Sequence, residues 1–133
     1  KAPNPLSTPG TLRGKVLCIE DQPVHMALLE AMLAELPGIT LLKASTGREG
    51  LRLARTERPD VVLLDMHLPD IGGLEVVRSL DQAIAARQLR VILLTADSLS
   101  MDVIKAMSLG AQEYWIKPVS LGKLADGLAR ALS

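Results

Sequence analysis

Five short apolar runs, at residues 16–19, 39–44, 61–64, 91–94 and 111–116, alternate with longer segments whose apolar residues recur every three or four positions. The short runs have strand length and the longer segments have helical period. After the first run, Pro23 suits a first helical turn. Val24, Leu28, Leu29, Met32, Leu33 and Leu36 then share one face until Pro37-Gly38 stops the helix. Thr46 and Glu49 have capping-box spacing, so a second helix should run to about Glu57, before Pro59. A turn rich in Pro69, Gly72 and Gly73 leads to a short helix over 74–80. Ser100 can cap a helix bearing Val103, Ile104, Met107 and Leu109, which Gly110 closes. Ser120 can cap a last helix with Leu121, Leu124, Leu128 and Leu132 on one stripe.

A βα unit repeated five times with short connections predicts an α/β domain, a doubly wound parallel sheet of five strands with helices on both faces. The first, third and fourth runs are wholly apolar, as strands buried on both faces must be. Thr40 and Lys43 in the second run, and Gln112 and Glu113 in the fifth, suit edge strands. The pattern fits the strand order 2-1-3-4-5. Residues 1–13, with Pro3, Pro5, Pro9 and Gly10, bury too little to offset their ordering entropy and read as a flexible linker or tail, leaving 14–133 as the domain.

Composition narrows this further. The 133 residues suit one domain, and with one Trp, one Tyr and no Phe its core must be aliphatic. Fifteen basic residues balance fifteen acidic ones, so the chain lacks the positive footprint of a nucleic-acid grip. Cys18, alone and inside an apolar run, reads as a core residue in a reducing compartment. No apolar stretch reaches the length of a membrane span and no signal-peptide pattern opens the chain. A cytoplasmic domain without membrane contact is expected.

The chemistry collects where the runs end. Open parallel sheets bind ligands beyond the carboxyl ends of their strands, near the point where strand order reverses. Those ends carry Glu20-Asp21, Asp65, Thr95 and Lys117. Carboxylates held together drift toward protonation unless a cation neutralises them. A hard divalent ion such as Mg²⁺ suits such oxygen ligands together with water and a phosphate oxygen. One carboxylate could then act as a nucleophile toward phosphorus, with the metal and Lys117 offsetting the charge on the phosphoryl oxygens.

Four segments carry a resemblance: VLCIED (16–21), VVLLDMHLPDIGG (61–73), VILLTA (91–96) and YWIKP (114–118). In this order and spacing they are similar to the response-regulator receiver family, across about residues 14–133. The resemblance implies a flavodoxin-like receiver fold and a phosphorelay function, in which a phosphoryl group passes from a phosphohistidine to Asp65. It implies that Glu20 (directly or through water), Asp21, Asp65 and the backbone carbonyl of His67 hold Mg²⁺ or Mn²⁺. Thr95, Ala96 and Lys117 would meet the phosphoryl group, Thr95 and Tyr114 would act as the switch, and His67 and Asp97 would influence phosphate lifetime. The bond before Pro118 would be cis. The first acidic position is Glu20 rather than Asp, and its longer arm bears on metal affinity. His67 is an unusual occupant of its position, which leaves the phosphate lifetime open.

By the same resemblance the chain is no turnover enzyme; it catalyses only its own phosphorylation and dephosphorylation. Its partner would be a histidine kinase or a histidine phosphotransfer protein, with a homodimer through the last two helices and the strand between them. The segment IEDQPVHMALLEAML is similar to receivers attached to hybrid sensor kinases, although a truncated regulator or a single-domain protein would look much the same. No DNA-binding effector follows in this sequence, so no nucleic-acid partner is expected.

Other readings of these residues exist. Glu20-Asp21 alone could be a solvated turn, Thr95 a strand-end hydroxyl and Lys117 a surface residue. His25 and His67 could build a transition-metal site with the carboxylates, although two His without motif spacing are more often exposed. A dehalogenase-like phosphatase would want a second carboxylate where His67 stands, and a nucleotide-binding module a glycine-rich loop where EDQPVH stands. A phosphate-independent docking module has no need of Asp21, Asp65, Thr95 and Lys117 together.

Overall fold

The computed structural model describes residues 12–96 and 99–133. The strands are β1 (Gly14–Ile19), β2 (Ile39–Ala44), β3 (Val61–Asp65), β4 (Arg90–Thr95) and β5 (Glu113–Ile116). The helices are α1 (Pro23–Leu33), α2 (Gly47–Glu57), α3 (Gly73–Ser79), α4 (Asp81–Ala85), α5 (Met101–Ser108) and α6 (Leu121–Leu132). The strands form one sheet in the order β2-β1-β3-β4-β5, with every pairing parallel, as the hydrophobic pattern predicts.

Strand alternation divides the core into two layers. Leu17, Ile19, Val62, Leu64, Val91 and Leu93 face the layer closed by α2, α3, α4 and α5. Val16, Cys18, Val61, Leu63, Ile92 and Leu94 face the layer closed by α1 and α6, where Trp115 is also buried. The three central strands are therefore apolar on both faces, with no alternation of polar residues to reveal their direction.

Side-chain caps fix three of the six helix starts among the described residues. Thr46 Oγ1 accepts from Glu49 N at 3.1 Å, Ser100 Oγ from Val103 N at 3.2 Å and Ser120 Oγ from Lys123 N at 3.1 Å. The capping box at Thr46 is only half made, because the Glu49 carboxylate turns to the Arg52 guanidinium at 2.6 Å. Gly110, at φ 110°, takes the left-handed turn that ends α5. The first helix ends three residues before its apolar stripe does. Glu35 N and Leu36 N bond to Met32 O and Leu33 O in a tightened turn, which carries Leu36 into the core beyond the α-helix proper.

Two parts differ from the sequence reading. Beyond Ser79 the chain turns at Leu80 and adds α4, which the pattern does not announce; Leu80 and Ile84 anchor it in the core. Leu12, assigned to the tail, is fully buried against the layer of α1 and α6. The packed chain thus reaches back two residues before 14, while 1–11 of the expected tail lie outside the described residues. At the far edge Glu113 receives Arg130 through two nitrogens, at 2.6 and 2.9 Å, and Trp115 Nε1 at 2.9 Å. The Arg130 hydrogen bonds outweigh desolvation and hold the Glu113 carboxyl at about 2, well below its ordinary range.

Candidate phosphoryl and metal site

Parallel pairing in this register brings the strand ends together. Leu64 pairs with Ile19 of β1, Asp65 with Leu94 of β4, and Thr95 with Ile116 of β5. Glu20 and Asp21 follow β1 directly, and Lys117 follows β5 with its amide donating to Thr95 O at 2.9 Å. The bond between Lys117 and Pro118 is cis.

Glu20, Asp21 and Asp65 each offer a carboxylate oxygen, and these oxygens lie within 4.8 Å of one another. Glu20 and Asp65 are almost fully buried. Lys117 Nζ donates to Glu20 Oε1 at 2.7 Å and stands 3.5 Å from Asp65 Oδ1. The Gln22 amide donates to Glu20 Oε2 at 3.2 Å, and the His67 amide to Asp65 Oδ1 at 3.1 Å. Among the described residues, Asp21 Oδ1 is a buried carboxylate oxygen with no hydrogen-bond partner. A bare buried carboxylate oxygen is costly.

The electrostatics follow from this crowding. Burial, reinforced by the hydrogen bond to Glu20 and its charge, pushes Asp65 up to about 7 against the pull of the His67 amide and Lys117. Burial also opposes ionisation of Glu20, but hydrogen bonds from Asp65, Lys117 and the Gln22 amide prevail and lower it. Of these two neighbours, Asp65 is the carboxyl pushed toward protonation and Glu20 the one favoured as the ionised partner of Lys117. Three carboxylates against one ammonium leave an excess of negative charge, and the orphaned oxygen of Asp21 belongs to that same cluster. An all-oxygen donor set of this kind fits a hard divalent cation.

Thr95 is buried at the end of β4 and Ala96 is exposed just beyond it. A recess of about 250 Å³ opens beside Thr95, walled by Met66, His67 and the start of α5. Tyr114 is partly buried against the layer of α2 to α5. The His67 side chain is exposed, and Asp97 lies outside the described residues.

The fold, the paired acids after the first strand and the lysine before a cis proline all point one way. The family model for the response regulator receiver domain matches residues 16–129. The chain belongs to this family.

Relatives agree with that assignment. The receiver is 37% identical over 105 residues to PilH of Pseudomonas aeruginosa, covering 79% of this chain and 86% of PilH. It is 38% identical over 117 residues to the transcriptional regulatory protein AfsQ1 of Streptomyces coelicolor, matching 88% of this chain but only half the length of AfsQ1. Among solved structures it is similar to the receiver domain of the sensor histidine kinase PA1611 of P. aeruginosa, a structure with magnesium coordinated in its active-site cleft. That likeness has a TM-score of 0.80 at 30% identity and covers 90% of this chain and 98% of the other. This is therefore a response-regulator receiver domain, a module of two-component signalling.

Two arrangements at the site escaped the sequence reading. Asp70 accepts from Gly47 N and Arg48 N at 2.8 and 2.9 Å, tying the loop after β3 to the start of α2; the hydrogen bond from Arg48 N leads in holding its carboxyl at about 2. His25 Nδ1 stands 3.1 Å from Lys117 Nζ. Free amides at the start of α2 were a signal for Asp70. His25 was expected near the carboxylates, as a conceivable metal ligand; its contact with Lys117 was not. Cys18, by contrast, is a core thiol, raised to about 12 first by burial and then by Glu20.

Proposed function

We propose that this receiver accepts a phosphoryl group on Asp65 from a phosphohistidine in a Mg²⁺-dependent reaction and signals through the change that follows. The observation that carries the proposal is the buried carboxylate cluster, with the orphaned Asp21 Oδ1 on one side and the Lys117 ammonium on the other.

Glu20, Asp21, Asp65 and the His67 carbonyl are the residues assigned to hold the metal. When bound, the ion supplies positive charge that favours the ionised carboxylates and offsets charge on phosphoryl oxygens. An oxygen of ionised Asp65 attacks phosphorus as the phosphorus–nitrogen bond of the donor breaks, and the bonding electron pair leaves on the imidazole nitrogen. Lys117 neutralises a phosphoryl oxygen, and the Thr95 hydroxyl bonds another. Ala96, small and exposed, leaves the approach open. His67, exposed beside Asp65, and Asp97 are the residues assigned to tune how long the acyl phosphate survives water.

The donor has a surface to meet. A groove of about 390 Å³ runs between α1 and the segment after β5, with Ala96 and Lys117 at its site end. Val24 and Leu28 on its rim are 70% and 52% exposed, which is costly for apolar side chains with no partner. A helix carrying the phosphohistidine, from a histidine kinase or a histidine phosphotransfer protein, fits that groove. The likeness to the receiver of PA1611 makes a hybrid sensor kinase one setting for this domain. A cytoplasmic location accords with this chemistry; among the described residues no helix is long and apolar enough to cross a membrane.

For output, Thr95 drawn toward the phosphoryl group lets Tyr114 turn inward, which repacks α5, β5 and α6. Ile104, Ile116 and Leu121 leave apolar surface exposed on these three elements, available to a second copy or a downstream partner.

Intact-mass analysis after incubation with acetyl phosphate tests the chemistry. One phosphoryl adduct is expected, lost without Mg²⁺ and lost in Asp65→Asn. A folded, Mg²⁺-binding protein that takes no adduct and no beryllofluoride would favour a phosphate-independent docking module instead.

A further inference from the structure

Lys117 has a second partner besides the acids. Its ammonium donates to Glu20 Oε1 at 2.7 Å, and His25 Nδ1 lies 3.1 Å away from across the mouth of the groove. An ammonium is a donor at every position, so His25 accepts through Nδ1 and carries its own proton on Nε2. Glu20 and His25 together use two of the three N–H bonds. The third is left for Asp65, whose Oδ1 stands at 3.5 Å, too far for a hydrogen bond but within ion-pair distance.

We infer that His25 is a positioning residue for Lys117: with Glu20 it fixes the ammonium so that its remaining N–H faces the incoming phosphoryl group. The inference rests on the Asp65 reading above and adds to it a role for an α1 side chain outside the acidic cluster. A lysine at the end of four methylenes has several rotamers to lose, and two fixed acceptors remove that freedom before the phosphoryl group arrives. Neither acceptor alone suffices, because an ammonium held at one point still rotates about that bond. His25 also lines the groove beside Lys117, so a donor seated there touches the residue that holds the lysine.

The test compares the wild type with His25→Leu, His25→Ala and His25→Asn under identical conditions. Leu keeps bulk without an acceptor, Ala removes both, and Asn places an oxygen close to where Nδ1 stands. His25 is half-exposed on α1, so these changes leave the core intact. The rate of adduct formation with acetyl phosphate should fall roughly 3- to 10-fold in the Leu and Ala variants and recover in the Asn variant. Mg²⁺ affinity, read by Trp115 fluorescence, should stay within about twofold of wild type. The Lys117 ammonium signal in ¹⁵N NMR should broaden in the Leu and Ala variants alone. Equal rates in all four proteins would overturn the role of His25 and leave the Asp65 reading intact, as would slow rates in all three variants. A wild type that takes neither the adduct nor beryllofluoride would overturn both.

Discussion

Lys117 Nζ donates to Glu20 Oε1 at 2.7 Å across 97 residues of sequence, and it does so at a site where Asp65 remains 3.5 Å away. The lysine thus compensates Glu20 more fully than Asp65, in line with Glu20 being lowered and Asp65 raised. The proposed nucleophile is thus a carboxyl that burial and Glu20 push toward protonation, so the metal-free site should be poorly reactive.

The first prediction is a trade of stability against function. Asn at position 65 can accept from the His67 amide and donate to Glu20 without adding charge. Asp65→Asn should therefore stabilise the Mg²⁺-free domain by about 1–2 kcal/mol above neutral pH while abolishing the adduct. Urea unfolding of both proteins in a chelating buffer measures it.

The second concerns protons and Mg²⁺. Below about 4 Asp65 is protonated in both folded and unfolded chains, and its shift contributes nothing. Between about 4 and about 7 the unfolded chain has lost that proton and the folded one keeps it, so this residue lowers metal-free stability as pH rises through that window. Mg²⁺ competes with the same proton. Its affinity should rise about tenfold per pH unit below the Asp65 pKa and level off above it. Trp115 fluorescence titrations at several pH values would show this.

How far the sequence reaches can be judged residue by residue. Asp65, Thr95 and Lys117 were legible because each follows or ends an apolar run, and parallel pairing brings run ends together. Leu12 was not, because one apolar residue among prolines has no period to reveal it. Nor was α4, whose five residues are too short to repeat a pattern. The bond between His25 and Lys117 spans 92 residues, and spacing along the chain does not encode it. Glu113 read as a polar residue of an edge strand, which it is, but its grip on Arg130 depends on how α6 lies.

A third prediction tests that packing. Gly127 in α6 lies flat against the Trp115 ring, and a Cβ there would overlap the indole. Ala favours a helix over Gly by about 1 kcal/mol, yet the overlap should cost about 2–3 kcal/mol. Gly127→Ala should therefore lower stability by about 1–2 kcal/mol and shift Trp115 emission to longer wavelength.

The fourth concerns the switch. Beryllofluoride with Mg²⁺ should move amide resonances between residues 99 and 130, where α5, β5 and α6 lie, and Thr95→Ala should suppress those shifts while Mg²⁺ still binds. Unchanged resonances in this segment in the wild type would remove the proposed output face.

The most direct test of the central claim is to locate the phosphoryl group chemically. Borohydride reduces an acyl phosphate to the alcohol, so after incubation with acetyl phosphate and Mg²⁺ the peptide containing VVLLDMHLPD should carry homoserine at position 65. The conversion should fail when Mg²⁺ is chelated. Homoserine at another aspartate, or equal conversion without Mg²⁺, would contradict the account.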